Sequence, residues 1–157
     1  MAEYSIKNSL MMEEIRKLIS EGKSVTIKVK GYSMSPFLVH ERDNICLTGW
    51  KDEDIVPGVV ALVKDMRGVY LVHRIIKRDG DIITLEGDGN IKIQEKAEVK
   101  EIIAIVKSIE RFTGWQKEAK VYNTDSKKWK RYSKLWLAVK PIRRYLLAIW
   151  RRIFKSY

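Results

Sequence analysis

Val25-Thr26-Ile27-Lys28-Val29-Lys30-Gly31-Tyr32-Ser33-Met34-Ser35-Pro36 reads as a strand that runs straight into a sharp turn. Val25, Ile27 and Val29 alternate with Thr26, Lys28 and Lys30, the period-two pattern of a strand with one buried face. Gly31 can take dihedrals closed to other residues and Pro36 stops a helix from continuing, so the turn holds Ser33 out towards a bound chain. A serine hydroxyl is a weak nucleophile near neutral pH and needs a base, usually with a third group to orient that base. Val72-His73-Arg74 supplies an imidazole, which titrates near neutrality and can take and return a proton.

Working outward, strand-like runs follow at 44–48, 59–64, 69–77, 81–86 and 101–109, punctuated by Pro57-Gly58, Arg67-Gly68 and Asp79-Gly80. The turn Arg78-Asp79-Gly80 predicts a hairpin that sets the strand carrying His73 beside the strand leading to Asp88. Before the first strand, Ile6, Leu10, Met11, Ile15, Leu18 and Ile19 recur at helical spacing over 5–21, and Gly22 is a natural stop. The expected architecture is mainly β, divided into an N-terminal helix over 1–22, a β domain over 23–122 and a basic amphipathic helical extension over 123–157.

The chain of 157 residues is long enough for one domain with a real core. Its net charge of +11 is unevenly placed: eleven lysines and arginines and no acid fall in 126–157, while 1–125 carries twenty charges of each sign. The lone Cys46 allows no internal disulfide and no multi-cysteine metal site; it reads as a core residue and favours a reducing setting. No apolar run reaches the ~18 to 20 residues that span a bilayer, and the N-terminus does not resemble a cleavable signal. A cytoplasmic chain, or one peripheral on the inner face of a membrane, is the expectation. Nothing has metal-ligand or cofactor-binding spacing, so none is implied.

Four motifs in order resemble the type I signal peptidases and their superfamily relatives, the self-cleaving LexA-like repressors. They are Gly31-Tyr32-Ser33-Met34-Ser35-Pro36, the strand Val59 to Val63, His73-Arg74-Ile75 and Gly87-Asp88-Gly89-Asn90. The resemblance covers about 25–109 and is to the histidine-base variety. It implies the signal-peptidase/LexA-like β-fold and a serine endopeptidase acting on a protein with a cleavable leader or signal-like segment. By it Ser33 is the nucleophile, His73 the general base, Asp88 the orienting acid, and the Ser33 N–H the oxyanion donor. The chain departs from the pattern in having Gly58-Val59 where glycine-aspartate is usual, and Gly31 where some bacterial members carry an oxyanion hydroxyl. It also has Ile93-Gln94-Glu95 where histidine-type relatives tend to place the orienting acid. The third member is then Asp88, or Glu95 as the alternative, or the site is a dyad. Met34 lines a shallow pocket beside the nucleophile or fills core, and His40 reads as a solvated loop residue.

Taken singly, a serine in a glycine-proline turn and a histidine on a strand are ordinary structural residues; their joint order with the glycine-aspartate box gives them weight. In the extension, Ile142, Tyr145, Leu146, Ile149, Trp150, Ile153 and Phe154 recur at helical steps opposite Arg143, Arg144, Arg151, Arg152 and Lys155. Trp129, Tyr132, Leu135, Trp136 and Val139 continue the mix upstream of Pro141. Tryptophan anchors beside arginines suit a helix lying on an anionic membrane, with Trp136, Arg143, Arg144, Trp150, Arg151 and Arg152 as the binding set. The alternative is an apolar stripe docked on the β domain; nucleic acid is disfavoured as a partner. Rival functions are LexA-like self-processing and a catalytically silent membrane-binding or regulatory module of the same fold.

Overall fold

The helical spacing after the N-terminus yields α1 (Ala2–Ser20). Its end is a glycine cap: Gly22 takes φ 77°, the Lys23 N–H reaches the Leu18 carbonyl and the Gly22 N–H the Ile19 carbonyl. The computed structural model describes residues 2–90, 93–112 and 118–153. Eight strands follow: β1 (Val25–Lys28), β2 (Asp43–Thr48), β3 (Val60–Lys64), β4 (Tyr70–Asp79), β5 (Ile82–Glu86), β6 (Gln94–Glu98), β7 (Ile102–Arg111) and β8 (Lys120–Asn123). They form one antiparallel sheet in the order β1-β2-β7-β3-β4-β5-β6, with β8 beside β7. The fold is mainly β, as the alternating runs predict. Two strands escape the sequence pattern, β6 and β8, both short and largely polar.

Side-chain alternation sorts the core. On β3, Val60 and Leu62 join a cluster with Met12, Ile15 and Ile19 of α1 and Met34, Phe37 and Leu38 of the nucleophile turn. Ala61 and Val63 face the other way, into a second cluster with Ile75, Ile83, Leu85 and Ala97. The uninterrupted apolar run of β3 is what burial on both faces requires. On β2 the buried positions are Asp43, Ile45 and Leu47, so Cys46 lies on the opposite face, half-buried, and is not a core residue.

The β4–β5 hairpin turns at Gly80-Asp81, with Asp79 paired to Ile82 and Gly80 at φ 58°. It places the His73 strand beside the strand that ends at Glu86 and leads into Gly87-Asp88.

The extension forms α2 (Lys127–Ala138) and α3 (Arg143–Ile153), the first opened by the Ser126 hydroxyl accepting the Trp129 N–H. Trp129 and Tyr132 of α2 lie against Phe37, with ring centroids 4.6 and 5.9 Å apart. Two residues assigned above to a membrane face are instead inside the protein. Trp136 is buried, and Arg143, 1 % exposed, pairs with the buried Glu86 at 2.6 Å and donates to the Trp136 carbonyl. Helical periodicity marks these residues as sharing an apolar face but does not say what covers it, and here the β domain does. Arg144, Trp150 and Arg152 stay on the outer helix, Arg144 and Arg152 exposed and Trp150 half-buried. The side chain of Arg151, and Phe154 and Lys155, lie outside the described residues.

Arg143→Ala leaves the buried Glu86 with the half-exposed Lys140, at 2.7 Å, and the neutral Gln94 amide, at 3.0 Å, as its partners among the described residues. The expected loss is about 3 kcal/mol of unfolding free energy, read by urea denaturation, with α2 and α3 loosening first.

Candidate active site

Ser33 lies in the turn between β1 and β2, exposed at its tip. Gly31 before it takes φ 94°, as the sequence requires of a chain that reverses there. The Gly31 N–H donates to His40 Nδ1 at 3.1 Å, and the His40 ring lies 5.0 Å from that of Tyr32. His40 is therefore not a free solvated residue but a brace on the turn.

The far side of the turn is clamped by Asp43, which is fully buried. Its carboxylate accepts the Val39 N–H and the guanidiniums of Arg42 and Arg111, while Arg111 also reaches the Phe37 carbonyl. Burial pushes the Asp43 carboxyl up, but the bonds from Arg42, Arg111 and Val39 outweigh it and hold it below the usual carboxylate range.

His73, buried on β4, points its Nε2 at Ser33 Oγ, 2.9 Å away, and its Nδ1 at Glu95 Oε2, 3.0 Å away. A carboxylate only accepts, so the tautomer that satisfies both contacts carries its proton on Nδ1 and leaves Nε2 to accept the serine proton. Glu95 comes from β6, two strands away from His73. Ile75 pairs with Leu85 and Leu85 with Glu95, so Glu95 reaches His73 diagonally over the end of β5. The residue there is Gly87, where a Cβ would lie 3.0 Å from His73 Nε2 and 2.5 Å from the Ser33 carbonyl. Gly89 is as tight, its Cβ position 2.7 Å from the Ser35 carbonyl, and its N–H donates to the Ser33 carbonyl at 2.8 Å. The two glycines let the acidic box lie directly under the nucleophile.

Asp88 is not the orienting acid. Both of its oxygens are taken by Arg74, at 2.9 and 2.6 Å, and both residues are 1 % exposed. Its neighbour on the chain side is that guanidinium, whereas Glu95 occupies His73 Nδ1. Arg74 was quoted above only as part of the base box; the structure makes it a hub that also donates to the Gly58 carbonyl and the Ser133 hydroxyl of α2. A basic residue next to a base in a strand points to the opposite face, and that alternation was the available signal.

Glu95 has a second neighbour in Arg67, 3.9 Å from its other oxygen. Arg67 sits in the β3–β4 turn, held by Asp65. Burial pushes the Asp65 carboxyl up, but the Val69 N–H and the Arg67 side chain and N–H prevail and keep it below the usual range. The Met66 N–H of the same turn reaches the Lys96 carbonyl, tying the hairpin to β6 beside Glu95.

Met34 is buried beneath the turn and lines a cleft of about 1060 Å³ that opens beside Ser33. The Ser33 N–H makes no hydrogen bond among the described residues. No group of three or more histidine, cysteine or acidic residues that could hold a metal occurs among the described residues. What the arrangement can do is remove a proton from Ser33 while its oxygen faces a cleft.

Asp43→Asn removes charge-assisted bonds that anchor the turn, with an expected cost of about 2 kcal/mol at pH 7. Because the native carboxyl is held below the value of 3.8 it has when unperturbed, its contribution is complete above that pH and is lost as pH falls through the lower native value. The gap in thermal midpoint between wild type and Asp43→Asn should therefore be full near neutrality and close as pH falls through the lowered native value, as measured by scanning calorimetry.

Comparison of the chain with known protein families, with curated proteins and with solved structures returned no match, so the geometry of Ser33, His73 and Glu95 carries the functional reading by itself.

Proposed function

We propose that the chain is a serine endopeptidase of the signal-peptidase type, cutting a leader or signal-like segment from a protein at a membrane surface. The observation that carries this is the chain of hydrogen bonds Ser33–His73–Glu95, with its serine end exposed at a cleft. A hydroxyl, an imidazole and a carboxylate in this relation form a nucleophile, its base and the base's orienter. His73 Nε2 takes the Ser33 proton as Oγ bonds to the scissile carbonyl carbon. Glu95 holds the ring and balances the imidazolium. The Ser33 N–H, which makes no hydrogen bond among the described residues, serves in this reading as the donor to the developing oxyanion. His73 then delivers its proton to the leaving amine as the C–N bond breaks, leaving an ester on Ser33. Water, deprotonated by His73, hydrolyses that ester and regenerates the serine.

The membrane part of the reading rests on α3. Ile142, Leu146, Ile149 and Ile153, at steps of four, three and four, form an exposed apolar stripe, with Ile153 68 % exposed. Exposed cations stand on the same two helices: Arg144 and Arg152 on α3, and Lys127, Lys128, Lys130, Arg131 and Lys134 on α2. An apolar stripe with this surround suits a helix lying in an anionic interface. No helix among the described residues is long and apolar enough to cross a membrane, which makes peripheral attachment the form proposed.

The test is cleavage of a leader-peptide library presented on anionic vesicles, with products read by mass spectrometry. Ser33→Ala and His73→Ala should abolish cleavage, and Glu95→Gln should lower kcat by about 10³ to 10⁴. Asp88→Asn should act on stability, leaving Arg74 with an unanswered buried charge. Cleavage that survives Ser33→Ala overturns the peptidase, and cuts within the chain's own sequence would favour self-processing.

For the membrane arm, whole-tail deletion would strip α2 from the core. Ile149→Glu with Ile153→Glu keeps α2 and should reduce sedimentation with phosphatidylglycerol vesicles at least tenfold; undiminished sedimentation removes α3 as the contact.

A further inference from the structure

The cleft beside Ser33 has an apolar floor, to which Met34, Leu38, Leu62 and Val72 contribute. Among the described residues, the charged side chains on its walls are Lys28, Lys30 and Lys64, with no carboxylate. Lys64 lies over the Tyr70 ring at 5.6 Å, and Lys28 is 3.7 Å from Glu41 at the solvent side. Lys30, exposed and next to Gly31, forms no hydrogen bond or ion pair among the described residues. The strand leading to Ser33, β1, is an outer strand of the sheet, bonded to β2 on one side and to no strand on the other among the described residues.

We infer that the segment bound for cleavage alternates acidic and apolar side chains along its length. This rests on the peptidase reading and names its substrate. An extended chain laid on a free strand edge pairs its backbone there and sends its side chains to the two faces in turn. On β1 and the two residues after it, Ile27 and Val29 face inward, Val29 buried, and Lys28 and Lys30 are exposed. A segment paired with β1 therefore meets the apolar floor at every second position and the lysines at the positions between. Carboxylates there complete Lys30 and Lys64, which have no acidic partner among the described residues, and add to the 3.7 Å pair of Lys28 with Glu41, while like charges are repelled. Lys64, at the end of β3, lines the same cleft, so its charge too disfavours a basic leader.

The experiment uses the full chain and three peptides of one apolar pattern, with glutamate, glutamine or lysine at the intervening positions. Cleavage rates are measured for wild type and for Lys30→Glu/Lys64→Glu, with circular dichroism as the check on folding. Wild type should favour the glutamate peptide about tenfold over glutamine in kcat/KM, less in high salt, and the charge-reversed protein should favour lysine. Equal rates for the three peptides, or a preference that survives charge reversal, overturns the inference and leaves the peptidase standing. Binding of the same labelled peptides to Ser33→Ala, read by fluorescence anisotropy, separates the two ideas. Selective binding with no cleavage by wild type overturns the peptidase alone, whereas binding indifferent to peptide charge overturns the inference whatever the cleavage result.

Discussion

The buried pair of Arg74 with Asp88 is the constraint on which the site depends. Arg74 follows His73 on β4, and Asp88 stands between the two glycines that touch the nucleophile turn. Joining them fixes the strand that carries the base against the loop that supports the serine. The remaining guanidinium donors go to the Gly58 carbonyl and to Ser133 of α2, and its face lies 4.3 Å from the Phe37 ring, in the same turn as Ser33. A buried ion pair gains little over an apolar pair of equal volume, because desolvation offsets the attraction. Its value here is positional, since a planar five-donor group in a fixed orientation sets β4, the acidic box, the turn and α2 relative to one another.

Around that pair the protein spends polar contacts on the turn from both sides. His40 accepts from the residue before Tyr32, Asp43 accepts from Val39 near its end, and Gly89 donates to Ser33 itself. A loop that must hold a hydroxyl within hydrogen-bond reach of an imidazole cannot rely on apolar packing alone, which is non-directional. The apolar part of the support comes from Met34, Phe37 and Leu38, which fold back under the turn into the larger core cluster.

The strands legible in the sequence were those with a period-two apolar pattern or a continuous apolar run, and Ser33 with His73 were singled out by the order of their motifs, Ser33 in the turn after the first strand and His73 within a later one. β6 was not legible. Gln94-Glu95-Lys96-Ala97-Glu98 offers one small apolar residue, and its second inward residue is charged. That concealment is why Glu95 stood second to Asp88, because a carboxylate reads as core-facing only once the strand carrying it is known. Asp88 drew the role through its box, and only the opposite-face neighbour Arg74 shows where its charge goes. The tail misled in the reverse sense. Trp136 and Ile149 belong to similar helical patterns, yet one is covered and the other open. Hydrophobic periodicity gives the direction of a face and is silent about its occupant.

The division of the tail bears on how closely α3 is joined to the Ser33 site. α2 is built into the core through Trp129 and Tyr132, and α3 is keyed to the sheet through Arg143 and Glu86. Glu86 is the last residue of β5 and immediately precedes Gly87, whose backbone lies under the Ser33 carbonyl and the His73 ring. The path from the exposed stripe of α3 to the nucleophile is thus one ion pair and one residue of chain, with no slack segment between. A short buried charge pair allows little translation, since displacement of either partner would expose an unmatched charge to an apolar surround. If α3 rests on a bilayer, the cleft is held at a set height and tilt above it. Under the proposed function, a substrate would then have to present its scissile bond at that height, in an extended segment able to reach the edge of β1.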